Sequence, residues 1–112
     1  MYYLFCINEE SYNLFYNNSS YLYYILKVLL HIKKEDFIYG YNLYKSICIP
    51  FKIDVLKSYF KYLDIKPSRI IINNKNLFRL FNIYNKKIFV IDFKNKKYFW
   101  IKDILLDRWF YG

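Results

Sequence analysis

With 112 residues the chain has room for one domain and a modest core, and a composition that is 56% apolar and 24% charged excludes a disordered chain held open by charge. Ile, Lys, Asn, Tyr and Phe fill 68 positions while Ala, Gln and Thr are absent, the skew that AT-rich codons impose, so abundant Lys or Tyr is weak functional evidence. A net charge of +9 points toward nucleic acid or an anionic membrane surface, yet residues 1–50 are neutral and only three of the eighteen cations are Arg, the side chain suited to bidentate phosphate and base contacts.

Residues 2–7 are aromatic and apolar without a helical period and read as a buried strand. Asn8 followed by Glu9 and Glu10 has the form of an N-cap with acids in the first turn, and Tyr12, Phe15 and Tyr16 then fall on one face of a short helix. The run 17–20 breaks that helix and offers a cap for a second. In residues 21–34, Leu22, Ile25, Leu26 and Leu29 form an inward stripe, with Tyr23, Lys27, His31 and Lys34 on the other side. Residues 35–46 favour a helix over an extended connection.

Pro50 precedes an amphipathic segment in which Ile53, Leu56, Phe60 and Leu63 recur at helical spacing, and residues 64–67 end it at Pro67. Residues 69–72 and 88–93 read as strands. The stretch 93–98 has the shape of a hairpin turning at Asn95 and Lys96, whereas 75–84 fits either helix or strand. Residues 104–110 would close the domain as a helical turn or an apolar tail. These elements predict a single domain over residues 1–112, of α/β class in its α+β form, with a small, largely antiparallel sheet packed against several helices.

Catalytic chemistry finds little support. His31 is the sole histidine, Cys6 and Cys48 form no CxxC pair, and Gly40 and Gly112 cannot build a phosphate-cradling loop. The pairs Glu9-Glu10 and Glu35-Asp36 resemble helix-start or solvated charges. No enzymatic activity, metal or cofactor is therefore expected. The two cysteines read as reduced core thiols. The N-terminus lacks the pattern of a signal peptide, and the stretch 21–32 is too short and too charged to span a bilayer, so a cytoplasmic protein without membrane attachment is expected. Fifteen Tyr and eleven Phe exceed what a core of this size absorbs, and a neutral, Tyr-rich first half reads as a protein-binding surface.

The opening Tyr2-Tyr3-Leu4-Phe5-Cys6-Ile7-Asn8-Glu9-Glu10, the Ile49-Pro50 step into a helix, and the closing Phe89-Val90-Ile91-Asp92-Phe93-Lys94-Asn95-Lys96-Lys97-Tyr98-Phe99-Trp100 resemble the sporulation inhibitor of replication family, SirA. The three patches span most of the chain. The resemblance implies a small α/β protein of spore-forming Gram-positive bacteria that binds domain I of the replication initiator DnaA and restrains replication during sporulation. It places partner contacts at Ser11, where the family has an aromatic, at its neighbours Tyr12, Phe15 and Tyr16, and at Tyr41 and Tyr44. It also implies a shortening between Pro67 and Lys87. The competing reading is a small nucleic-acid-binding protein that uses Tyr98, Phe99 and Trp100 as stacking groups beside Lys94, Lys96 and Lys97.

Overall fold

Strand β1 (Tyr2–Cys6) runs through the middle of the molecule and fixes the rest. The computed structural model describes residues 1–103, so the expectation for 104–110 lies outside the described residues. β1 pairs antiparallel with β3 (Ile70–Ile72) on one side and with β4 (Ile88–Asp92) on the other. β2 (Asp64–Ile65) and β5 (Lys97–Trp100) extend the two edges, giving a five-stranded sheet in the order β2-β3-β1-β4-β5. Every pairing is antiparallel.

Because successive side chains of a strand point to opposite faces, the sheet divides the core in two. Leu4, Cys6, Ile70, Ile72, Ile88 and Val90 face one layer, made by α4 (Ile53–Tyr59) and α5 (Phe78–Tyr84). Phe5, Ile7, Phe89, Ile91 and Trp100 face the other, made by α1 (Glu9–Phe15), α2 (Ser19–Leu30) and α3 (Phe37–Ile47). The molecule is thus an α+β domain of three layers, and β1 and β4 read as continuous apolar runs because both their faces are covered.

The Asn8 side chain caps α1 by accepting from the Ser11 amide at 2.8 Å, and its Nδ2 donates to the Ser46 carbonyl at 2.9 Å. One residue therefore starts α1 and ties it to the end of α3. The segment 35–46 is helical as expected, with a 3-10 turn at Lys34–Asp36 leading into α3. Residues 75–84 resolve into a 3-10 turn at Lys75–Leu77 and α5. The hairpin turn is held by Asp92, whose carboxylate accepts from the Asn95 amide and Nδ2, and Lys96 adopts a left-handed φ of 54°.

Two local expectations need correction. The helix predicted through Leu63 stops at Tyr59, because Asp64 and Ile65 are drawn into edge pairing with Ile71 and Ile70. Pro50 precedes that helix as expected, two residues before its N-cap, Lys52. Tyr23, expected on the polar side of α2, is buried, stacked on Tyr98 with ring centroids 4.9 Å apart. Among the described residues no helix is long and apolar enough to cross a membrane.

Phe81 is fully buried and stacks on half-buried Phe60 at 4.9 Å beneath the β3-β1-β4 face. Phe81→Ala is expected to cost about 3–5 kcal/mol through the cavity it leaves, and Phe60→Ala distinctly less. Urea melts followed by circular dichroism check the ranking, and equal losses would contradict it.

Candidate functional site

The residues singled out for partner contact divide by their place in the helical layer. Ser11 and Phe15 are buried at 6% and 8% exposure, so neither offers a ring or hydroxyl to a partner. Ser11 Oγ donates to the Ser46 carbonyl at 3.3 Å, at the junction of α1 and α3. Phe15 belongs to the core around Leu22 and Phe89 and is covered by Tyr21, which stacks on it at 5.8 Å and is itself 57% exposed.

Tyr12 and Tyr16 are half-buried and form one aromatic cluster with Trp100, at 4.9 and 6.1 Å. Lys102 Nζ sits 4.3 Å from the Tyr16 ring and 5.0 Å from that of Tyr12. A hydrogen bond to Tyr12 holds the Lys102 ammonium above its ordinary pKa. Trp100 itself is 2% exposed, and its indole N–H donates to Ser19 Oγ at 3.2 Å. It cannot stack on a nucleic-acid base, which leaves the competing reading the half-buried Tyr98, stacked on Tyr23, and the half-buried Phe99, packed edge-on against Phe78. The sequence alternation of β5 places Trp100 opposite Phe89 on the covered face. Lys94, Lys96 and Lys97 remain exposed at the hairpin.

Tyr41 and Tyr44 project from α3 toward one groove, bounded by the C-terminal half of α2, by α3, and by the turn between β2 and β3. Tyr41 is exposed, stacks on Phe37 at 6.2 Å and carries Lys45 Nζ 5.0 Å from its ring. Tyr44 is half-buried and spans the groove, its hydroxyl donating to the Pro67 carbonyl at 3.1 Å. Burial pushes its phenol above the usual range.

Sequence reasoning missed the exposed apolar side chains of this layer. Tyr21, Tyr24 and Val28 recur at i, i+3 and i+7 and give α2 an outward apolar stripe, a spacing visible in the sequence but assigned there to no face. Phe37, Ile38 and Tyr39 are also exposed at the start of α3. The charges of the same segment, Lys27, Lys33, Lys34 and Lys45 against Glu9, Glu10, Glu35 and Asp36, all lie exposed and balance. The α4 and α5 layer likewise exposes Tyr59, Tyr62 and Ile83, but sets them among Lys52, Lys57, Lys61, Arg79 and Lys86.

Cys6 and Cys48 are free and buried. Burial raises both thiols, Cys6 to about 11. Among the described residues no group of His, Cys, Asp or Glu side chains could hold a metal ion. No protein-family model matches the chain, and no curated protein matches it.

The thiol shifts have a sign that can be tested. An unfolded Cys6 ionises near its ordinary 9.0 while the folded thiol keeps its proton until about 11, so the unfolded state holds fewer protons in between. The stability this proton confers is complete below pH 9 and is lost as pH rises toward 11. Urea midpoints taken across this window should fall, and Cys6→Ala should flatten the decline. A thiol reagent at pH 8 should label neither cysteine until urea unfolds the protein.

Proposed function

We propose that the protein is a non-enzymatic binding module that engages another protein through the aromatic outer surface of the α1–α3 layer. The observation that carries this reading is the set of exposed, uncharged rings there, Tyr21, Tyr24, Phe37, Tyr39 and Tyr41, in a segment of zero net charge. Tyr and Phe suit such a surface because they supply rigid contact area at low entropic cost, and Tyr adds a hydroxyl. The resemblance to the SirA family supports a specific partner, domain I of the initiator DnaA, and a cytoplasmic setting during sporulation. The action would be occlusion: a bound initiator face is closed to its other partners, and no bond is made or broken.

In this reading the anchors shift relative to the family pattern. With Ser11 and Phe15 buried, Tyr21 becomes the exposed ring over α1, and Tyr41 serves from α3. Calorimetric titration with DnaA domain I tests it. Tyr21→Ser combined with Tyr41→Ser should weaken binding at least about 30-fold, as expected of central interface rings, with the melting temperature little changed. Lys94, Lys96 and Lys97 changed together to Ser should alter affinity by less than about 1 kcal/mol. Phe15→Ala should instead lower stability through a core cavity. A parent protein that ignores domain I but binds DNA with a steep salt dependence would overturn the reading in favour of a nucleic-acid partner.

A further inference from the structure

The groove between α2, α3 and the β2–β3 turn has a volume of about 620 Å³, within the range of small-molecule sites. It reaches down to Phe5, Leu26 and Cys48, three buried residues of the inner core, and its walls continue outward through Leu29, Ile32 and Phe37. The lining is almost entirely carbon. The Tyr44 hydroxyl that crosses it is already engaged with the Pro67 carbonyl, so the interior has little to offer a polar ligand.

Its charge has one sign. Lys45, Lys66 and Arg69 stand among the lining residues, and none of the described lining residues is acidic. Arg69 is paired with Asp64 at 2.9 Å, outside the lining, whereas Lys45 and Lys66 are exposed and join no ion pair among the described residues. A second feature shapes one wall of the groove. Gly40 lies inside α3, where glycine is about 1 kcal/mol worse than alanine, yet a Cβ there would sit 2.6 Å from Ile32 Cδ1. The missing side chain lets Ile32 lie against α3 and complete the apolar wall.

We propose that this groove binds a single-chain amphipathic anion, a medium- or long-chain alkyl carboxylate. The alkyl tail occupies the space over Phe5, Leu26 and Leu29, and the carboxylate stays at the mouth with Lys45 and Lys66. The apolar depth selects the tail, and the unpaired ammonium groups select a negative head over a neutral or positive one. The inference does not rest on the initiator reading, although Phe37 and Tyr41 line the groove and also belong to the proposed docking surface.

Dodecanoate is the probe, titrated by calorimetry below its micellar range, with dodecanol and dodecyltrimethylammonium as neutral and cationic controls. One dodecanoate should bind per chain with Kd on the order of 10 µM. Dodecanol should bind at least about fivefold more weakly, the ammonium compound not measurably, and added salt should narrow the difference between the acid and the alcohol. Lys45→Ser combined with Lys66→Ser should weaken dodecanoate about tenfold, and Leu30→Glu, which puts a carboxylate at the mouth, should weaken it further. All three positions are exposed, so thermal melts of the unliganded variants should match the parent. Amide NMR shifts on binding should concentrate in α2, α3 and residues 66–69. Absence of saturable binding, equal affinity for the three probes, or shifts elsewhere would overturn the proposal. Displacement of bound probe by DnaA domain I would leave it standing and add competition, whereas a groove that takes domain I and never dodecanoate would belong to the protein partner.

Discussion

The pairing of β1 with β4 is the constraint from which the rest of the molecule follows. Both strands are buried on both faces, with Leu4, Ile88 and Val90 on one side and Phe5, Phe89 and Ile91 on the other. An antiparallel pair can leave one face to water, but these strands carry no alternating polar set to place there. Each face must then receive its own helices. The chain meets this in sequence order, with α1–α3 closing one face before α4 and α5 close the other. Phe78 and Phe81 on one side and Phe15, Tyr23 and Trp100 on the other supply the volume that short helices could not otherwise provide.

Three helices cover one face of the sheet, and their arrangement creates the surface features. Asn8 and Ser11 fasten the start of α1 to the Ser46 carbonyl at the end of α3, and Tyr44 fastens α3 to Pro67 beyond the sheet edge. α3 is therefore held at both its partners, while Ile32, just beyond the C-terminal end of α2, packs against Gly40 of α3. The groove is what remains between these attachments. Its cations come from α3 and from the β2–β3 turn, at the boundary between the neutral half of the sequence and the basic one.

The parts of the fold that were legible in the sequence are those decided locally. The strand runs, the Asn8 cap and the hairpin at Asn95 each depend on a few adjacent residues, and all three formed as read. The end of α4 was not legible, because Phe60 and Leu63 keep helical spacing while the pairing that stops the helix comes from Ile70 and Ile71, further along the chain. Residue type also fails to sort rings in so aromatic a sequence. Tyr23 and Tyr24 are neighbours on α2, yet one is buried on Tyr98 and the other is exposed. Phe15, where the resemblance places a partner contact, and Trp100, a stacking group of the competing reading, are core, and the α1–α2 packing and the sheet pairing that bury them are not visible in residue type.

That burial changes what a partner can meet. A ring shielded by another ring contributes to affinity only by supporting it, so in the proposed reading the binding energy passes outward from Phe15 to Tyr21, which rests on it as a stacked pair. In that reading the interface would depend on the core beneath it, because Tyr21 lies stacked on Phe15. A partner's selectivity would then be set by the spacing of Tyr21, Tyr24 and Tyr41 on two separate helices, which share one core with Phe5, Phe89 and Ile91 of the sheet.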